Sequence, residues 1–347
     1  MEASTLSARD RQILAAIVEE YVQTAEPVGS RHLTKKYRLG VSPATVRNVM
    51  ADLEELGFLA QPHTSAGRKP TDRGYRYYVD SLMQTSPPSS GERRRLRRTI
   101  AASKTGDVEE MLETTSRTLS ALARQVGVVV APRLESSVFR HIDFVWLRPS
   151  RVLVVLVSRS GAVYHRPVEA PEVGSQAELD KMANYLNGVL HDLPLWEVRE
   201  KILSEMATER AVYDSLLRRA LQLGRRALEE NPQKGDVFVG DPSALLEQPE
   251  FSDVSRMRGI FEAFEKKGLV LKLLDRAFEG PGLQVSIGQE NPVADFRDCS
   301  LVSATYSREG RVLGTLGVIG PTRMPYSRVA GLVEYTARLL GEVFETL

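Results

Sequence analysis

The sequence is nearly without cysteine and has no long apolar run. Cys299 is the only cysteine among 347 residues, which excludes a disulfide within the chain and a zinc site built on several cysteines. Because it lies in the apolar run 299–302, we expect a small buried residue. The longest apolar runs, 126–131 and 152–157, are far too short to cross a bilayer. The first residues carry charges where a signal peptide is apolar, so we expect a cytoplasmic protein that enters no membrane.

Sequence motifs of catalysis are missing as well. There is no G-x-S-x-G, no P-loop and no G-x-G-x-x-G after a predicted strand. Asp143 and His165 fall on predicted strands, where we expect framework residues rather than an acid–base pair. We therefore expect no enzyme, no metal ion and no cofactor. The histidines show none of the short spacings that bind a metal. The sequence contains His32, His63, His141, His165 and His191.

Charge is balanced over the whole chain but unevenly distributed along it. The net charge is +1, and 26% of the residues are charged. Residues 29–98 contain fourteen Lys or Arg against six Asp or Glu, a surplus of eight positive charges, so the remainder carries −7. This asymmetry is typical of a nucleic-acid-binding end on a neutral-to-acidic body. The length exceeds one comfortable core and predicts two or three domains.

The segment 42–57 predicts an amphipathic helix with short polar and basic groups on its outer side. Ser42 is a good N-cap, and Pro43 suits the first helical position. Gly57 can adopt the left-handed conformation that ends a helix. Taken alone this is an amphipathic surface helix, but its outer face begins as a recognition helix does. The apolar stripe at helical spacing consists of Val46, Val49, Met50, Leu53 and Leu56.

Two helices before this segment complete a predicted helix-turn-helix. Ser7 and Asp10 resemble a capping box that begins the first helix, and Pro27 breaks it. Ser30 caps a short second helix with basic residues outside. Gly40 lies in the tight turn that leads into the 42–56 helix. Two helices joined by about four residues with a central glycine are the helix-turn-helix pattern.

The residues after this segment predict a wing and a closing helix. A short strand at 58–61 precedes the loop 63–70, which has Gly67 at its tip and two cations after it. Such a loop suits approach to a phosphate backbone or a minor groove. Thr71 or Asp72 caps the last helix. Winged helices can also serve only as protein docking modules, but basic residues on every element that would face DNA favour nucleic acid.

Individual side chains divide into predicted readers of bases and predicted contacts to the backbone of DNA. Asn48 can pair with adenine, and the methyl group of Thr45 can meet that of thymine; Ser42 and Ala44 lie beside them. The alternative is that these residues only solvate the helix. Asp52, Glu54 and Glu55 would repel phosphate, so the far end of the helix should tilt away from the groove. Backbone or wing contacts are expected from Arg31, Lys35, Arg47, His63, Arg68, Lys69, Arg73 and Arg76.

The pattern beyond residue 83 predicts an α/β body with an insertion. A Pro- and Ser-rich linker covers 84–91, and a basic run at 93–98 opens a helix. Strands are predicted at 138–147, 152–158 and 162–168, after which 175–230 is helical with one break at Pro194. Strand signals return at 237–239, 283–287, 301–306 and 312–319. This order predicts a sensor-type α/β domain interrupted by helices.

Three segments resemble the family of the heat-inducible transcription repressor HrcA. They are 42–57, 61–80 and the C-terminal Gly-Val-Ile-Gly-Pro-Thr-Arg-Met at 317–324 with Tyr326. The resemblance implies an α+β multidomain chain: an N-terminal winged helix-turn-helix, then a GAF-like α/β domain interrupted by a mainly helical inserted dimerising domain. We expect the winged helix at 1–83, linker and start of a connecting helix at 84–103, GAF-like parts at 104–171 and 235–347, and the inserted domain at 172–234.

The resemblance also implies a function. It implies a repressor of heat-shock chaperone operons that binds a double-stranded inverted-repeat operator, CIRCE, as a homodimer and is kept active by the chaperonin GroEL. Two alternatives stay open: a winged-helix regulator whose GAF-like domain binds a small-molecule effector, and an enzyme fused to a DNA-binding domain. A body pocket with convergent polar groups would favour the effector, whereas a core filled by side chains would favour a heat sensor.

Overall fold

The structure of the chain is a computed structural model. It describes residues 6–63, 66–102, 108–132, 138–159, 163–171, 173–193, 195–206, 215–228, 237–246, 248–251, 253–278, 282–308 and 310–346. Thr64 and Ser65 of the predicted wing loop, and the predicted helix break at Pro194, lie outside these residues.

The N-terminal elements occur in the order of a winged helix, as predicted. Strands β1 and β2 pair antiparallel, with Leu59 opposite Pro70. An isolated antiparallel bridge between Val28 and Arg68 joins the segment before α2 to the base of the wing. The elements are α1 (Ala8–Thr24), α2 (Ser30–Lys36), α3 (Pro43–Glu55), β1 (Leu59–Ala60), β2 (Lys69–Pro70) and α4 (Asp72–Ser81).

The ends of these helices follow the sequence signals closely. Ser7 and Asp10 form a capping box at α1, Ser42 caps α3, and Thr71 rather than Asp72 caps α4. Gly57 takes a φ of +77° where the chain leaves α3, a conformation that glycine adopts without steric cost. One cap differs from the prediction: the N-cap of α2 is Gly29, and Ser30 is already helical.

The body contains two helix and strand groups that alternate along the chain. The first group begins with α5 (Ser90–Ala102), α6 (Val108–Ala123) and β3 (Val126–Val130). The second follows, with β4 (Phe139–Arg148), β5 (Arg151–Ser158), β6 (Val163–Glu169), α7 (Gln176–Leu190), α8 (Leu195–Met206) and α9 (Ser215–Leu228). The first group then resumes with β7 (Val237–Val239), α10 (Val254–Glu265), α11 (Lys267–Leu274), β8 (Leu283–Ile287), β9 (Cys299–Arg308), β10 (Arg311–Pro321) and α12 (Tyr326–Thr346).

The first group is a sheet between two layers of helices. Its strands run antiparallel in the order β7-β3-β10-β9-β8. On one face Val302 and Leu316 pack in the core that includes α5, α6 and α12. On the other, Leu301 and Ile319 pack in the core of α10 and α11. Side chains therefore fill both faces of this sheet.

The second group corrects the predicted division of the body. Strands β4, β5 and β6 were expected in the first GAF-like part, 104–171, but they form a separate sheet whose buried side pairs Phe144 and Leu156 with Leu186 and Leu221 of the helices. The physical reason is that the apolar stripes of α7 and α9 need a covering surface, and the alternating strands provide one. The second group is therefore mixed in structure rather than mainly helical.

The predicted linker is not a free tether. The amide of Ser86 donates to the carbonyl of Ser327 at the start of α12 (3.0 Å). A Cβ at Gly331 would lie 1.9 Å from the carbonyl oxygen of Ser86, so glycine permits this close approach. One hydrophobic core includes residues of both the winged helix and α12.

Two expectations about apolar segments can be compared with the structure. Cys299 is buried in β9, as predicted, and burial raises the pKa of its thiol to about 12, so the thiolate form is disfavoured. Among the residues that the structure describes, no helix has the length and hydropathy needed to span a membrane.

The central sheet offers a test of one buried hydrogen bond. The hydroxyl of Tyr306 donates to the carbonyl of Val130 (2.6 Å). We expect Tyr306→Phe to lower the free energy of unfolding by about 1 kcal/mol. Tyr335→Phe is the matched control, because the buried hydroxyl of Tyr335 has no hydrogen-bond partner in the part of the chain that is described. Urea denaturation measures both. Equal losses of stability in the two variants would contradict the expectation.

Candidate nucleic-acid interface

The N-terminal turn of α3 presents the predicted base-reading residues at the surface. Ser42, Ala44 and Asn48 are exposed, and Thr45 is half-buried. The hydroxyl of Ser42 accepts from the amide of Thr45 (3.1 Å) and lies 3.0 Å from the Thr45 hydroxyl. Ser42 therefore has a structural task as the cap. Asn48 carries both an amide donor and an acceptor, which an adenine edge requires.

The opposite side of α3 fixes the helix in the domain. Val46, Val49, Met50 and Leu53 are buried in the shared core. Arg47 lies exposed beside Asn48, so the predicted phosphate contact and the predicted base contact are neighbours on the outer side of the helix. This division into a buried and an exposed face is what the apolar stripe predicted, except at Leu56, which was expected in the stripe but is 37% exposed.

A buried carboxylate holds α2 against α1. The side chain of Glu20 is 3% exposed and contacts Nε2 of His32 (2.6 Å) and Nζ of Lys36 (2.5 Å); the hydroxyl of Tyr37 donates to it at 3.2 Å. Burial raises the pKa of Glu20, but hydrogen bonds and charge from Lys36 and His32 outweigh it and hold the pKa below its ordinary value. The network orients α2, whose Arg31 and Lys35 remain exposed.

The wing separates its two predicted cations. Lys69 is exposed on β2, and His63 is exposed before the tip. Arg68, by contrast, is 19% exposed and pairs with Glu54 of α3 (2.8 Å). The guanidinium of Arg68 therefore joins the base of the wing to α3, and its contact with the DNA backbone stays a prediction. Glu54 neutralises that cation, so its charge is not directed only at phosphate.

The two arginines of α4 also have different surroundings. Arg73 is exposed, with its guanidinium carbon 4.8 Å from the ring centre of Phe58. Arg76 was predicted to contact phosphate, but it points into the body, where it donates to Glu290 (2.9 Å from Nε) and to the carbonyl of Val285 (2.6 Å). Because α4 packs against both β2 of the wing and β8 of the body, its two arginines meet different surroundings, and the DNA contact of Arg76 stays a prediction.

The exposed groups on α2, α3, the wing and α4 are mainly polar and basic. We call the set consisting of Ser42, Ala44, Thr45, Arg47 and Asn48 of α3, Arg31 and Lys35 of α2, His63 and Lys69 of the wing, and Arg73 of α4 the DNA-facing set. It contains hydrogen-bonding groups for base edges and cations for phosphate, which are the two kinds of contact a sequence-specific module makes.

Sequence reasoning missed two residues that position this set. Glu20 follows Ile13 and Ile17 at helical spacing, so its place on the buried face of α1 was a signal of a charge that needs partners. Arg323 lies in the C-terminal segment 317–324, yet it donates to the carbonyl of Val22 in α1 (2.7 Å). No local pattern connects residues 301 positions apart, so only the fold reveals this contact.

Beyond this surface, the described residues meet few of the requirements of a metal site or of a ligand pocket. No group of three or more His, Cys, Asp or Glu residues there could hold a metal ion. An open groove of about 350 Å³ lies between α12 and the edge of the central sheet. Leu283, Ala304 and Ala337 supply apolar lining, and Glu334 and Arg338 line it as well. It is a surface groove rather than an enclosed cavity within the core.

Family models match both parts of the chain. Residues 5–81 match the "Winged helix-turn-helix transcription repressor, HrcA DNA-binding" family, and residues 109–330 match the "HrcA protein C terminal domain". A hypothetical protein with a crystal structure at 2.2 Å resolution has a TM-score of 0.63 and 21% identity over 99% of both chains. That likeness extends the shared fold over the whole chain.

Curated relatives agree with the family models. The heat-inducible transcription repressor HrcA of Syntrophobacter fumaroxidans is 47% identical over 99% of this chain and 98% of its own. The protein of that name in Geobacter sulfurreducens is 47% identical over 98% of both chains, and one in Xylella fastidiosa is 42% identical over 98% and 97%. These names describe repression of transcription, which is not an enzymatic activity. The chain therefore belongs to the HrcA family of heat-inducible transcription repressors.

Proposed function

We propose that this repressor binds the inverted repeat CIRCE in front of chaperone operons as a homodimer, and that its activity depends on the chaperonin GroEL. The observation that carries the DNA-binding part is the exposed N-terminal turn of α3, where Asn48 and Arg47 lie side by side on the DNA-binding domain of the family. Two-fold symmetry of a dimer matches the symmetry of an inverted repeat.

Within the DNA-facing set, the roles follow from chemistry. Asn48 and Thr45 read base edges, with Ser42 and Ala44 at the same helix end. The cations Arg31, Lys35, Arg47, Lys69 and Arg73, together with His63, contact the DNA backbone and set the register without reading sequence. Arg68 and Arg76 also make ion pairs within the protein, with Glu54 and Glu290.

The dimer interface is proposed on the outer face of the sheet β4-β5-β6. Leu153 and Val155 of β5 alternate with buried residues, so their side chains lie on the face opposite α7 and α9. Val145 is 41% exposed and pairs with Leu153, and Val163 on β6 is 50% exposed. Exposed apolar side chains on one sheet face support association with a second copy, and the same face carries polar groups, with Asp143 and His165 opposite Val155. The resemblance places dimerisation in the mainly helical residues 172–234. The strand face is proposed instead because α7 and α9 already pack their apolar stripes against β4–β6.

Heat control follows from the marginal stability of folded chains. Heating depletes the folded dimer and repression lapses, and chaperonin that binds the exposed apolar faces restores the pool. The side chains that fill both faces of the central sheet favour this signal. The effector alternative would use the groove that Glu334 and Arg338 line, and it is an outcome of the heating experiment below.

Asn48→Ala tests the reader. We expect this variant to lose about 1–3 kcal/mol of discrimination between the operator and random DNA. Lys69→Ala is the comparison: it should weaken binding to both DNAs about equally and lower the log–log salt slope by roughly one. Gel-shift titrations at several salt concentrations measure both quantities. An unchanged operator preference in Asn48→Ala would show that this residue is not a reader.

Val145→Lys tests the dimer surface. A charge in an apolar sheet interface is costly, so we expect monomers in sedimentation and a loss of about 100-fold in affinity for the full operator. Leu246→Lys is the matched control, because Leu246 is 61% exposed and lies outside the sheet. A dimer that persists in Val145→Lys would place the interface elsewhere.

Heating the purified protein tests the signal. We expect operator binding to be lost on moderate heating, to recover poorly alone, and to recover with chaperonin and ATP. Operator DNA should raise the melting temperature, as a ligand of the native state does. Binding is measured before heating, after heating, and after heating with chaperonin. Full recovery without chaperonin, or control by a metabolite at constant temperature, would favour the effector alternative.

A further inference from the structure

The winged helix is attached to the body at the start of α4. The carboxylate of Asp72 accepts from the backbone amide of Gln289 (3.1 Å). Gly288 has a φ of +52°, and a Cβ there would lie 2.1 Å from that carboxylate, so glycine permits this close approach. One turn further along α4, Arg76 donates to Glu290 and to the carbonyl of Val285. Two side chains of one helix face therefore hold the turn after β8.

A second attachment is made to a different helix. Arg323, between β10 and α12, donates to the carbonyl of Val22 near the C-terminal end of α1 (2.7 Å). Carbonyls in the last turn of a helix have no partner within the helix and attract cations. Glu250 and Gln248 of the body bind the same guanidinium, whose side chain is 11% exposed. Arg323 is thus fixed on the body while it holds α1.

A third attachment is the linker, and an aromatic contact fills the space between. Ser86 is bonded to Ser327 at the start of α12. The rings of Tyr75 and Tyr326 are 5.7 Å apart between centroids, and both residues are buried. Attachments through α4, α1 and the linker do not lie on one chain segment. Together they oppose rotation of the winged helix about any single axis.

We propose that Asp72, Arg76 and Arg323 are positioning residues that fix the angle of the winged helix on the body, so that the dimer selects the spacing of the two half-sites as well as their bases. The inference rests on the proposed binding of an inverted repeat by a dimer. Each added base pair moves a half-site along the DNA and rotates it by roughly one tenth of a turn. A winged helix on a flexible linker can reorient to reach the displaced half-site. When the winged helix is fixed on the body, the second copy of the dimer loses its contact with the displaced half-site.

The experiment uses the full-length protein and CIRCE duplexes whose central spacer is lengthened by one to five base pairs. We expect the wild type to lose about 100-fold in affinity at altered spacing, which is the advantage of two linked sites. Glu290→Gln and Arg323→Gln weaken the two attachments independently and should reduce that loss to about tenfold. Their affinity for a single half-site should stay within about twofold of wild type. Arg117→Gln, which removes an exposed arginine paired with Glu113 on α6, should keep the wild-type spacing profile.

A second measurement needs no DNA. Spin labels at Glu26→Cys on the winged helix and Arg258→Cys on α10 occupy exposed positions. With labelled chains diluted into unlabelled protein, the label-to-label distance distribution should be narrow in the wild type and broader in Glu290→Gln and Arg323→Gln.

The outcomes separate this inference from the proposed function. Spacing profiles and distance widths that match wild type in both variants would overturn the positioning role while leaving repeat binding intact. Loss of half-site binding in the variants would also overturn it, because the contacts would then serve the folding of the winged helix itself. A wild-type protein that prefers no inverted repeat over a single half-site would instead refute the proposed function, before any variant is compared.

Discussion

The packing of Tyr75 against Tyr326 is the contact on which the arrangement of this repressor depends. The two buried rings bring α4 of the winged helix onto the start of α12, and one hydrophobic core continues across the junction. Polar contacts from Arg76 and Arg323 surround this apolar centre. Because apolar burial is non-directional, the packing of the tyrosines holds the winged helix on the body without fixing its orientation. The directional hydrogen bonds of the arginines fix the angle between the two.

The arginines of the N-terminal region show how one residue type serves two purposes. Arg47 and Arg73 are exposed, where a cation can neutralise phosphate. Arg68 and Arg76 make ion pairs with Glu54 and Glu290, and a guanidinium committed in this way holds elements together. The basic surplus of residues 29–98 therefore overstates the charge available to DNA.

Much of the fold could be predicted because its signals are local. Ser42, Thr71 and Gly57 each act on the turn in which they lie, so the helices of the winged helix followed from neighbouring residues. The strands β4 to β6 were also predicted from the sequence, but the helices that pack against them were not. Alternation along Phe139–Arg148 predicts that one face of the strand is buried, but it does not identify the element that covers this face. The packing against α7 and α9 joins segments that are distant in the sequence.

The same difference between local signals and contacts between distant segments applies to the candidate site. The sequence by itself determined α3, its buried stripe and its exposed Asn48 and Arg47, because helical periodicity assigns each residue to a face. Only the tertiary structure decided that Arg76 faces Glu290 and that Arg323 reaches Val22. A charged side chain is compatible with phosphate, water or a distant carboxylate, and the choice among them depends on which surface the folded chain brings within hydrogen-bond distance.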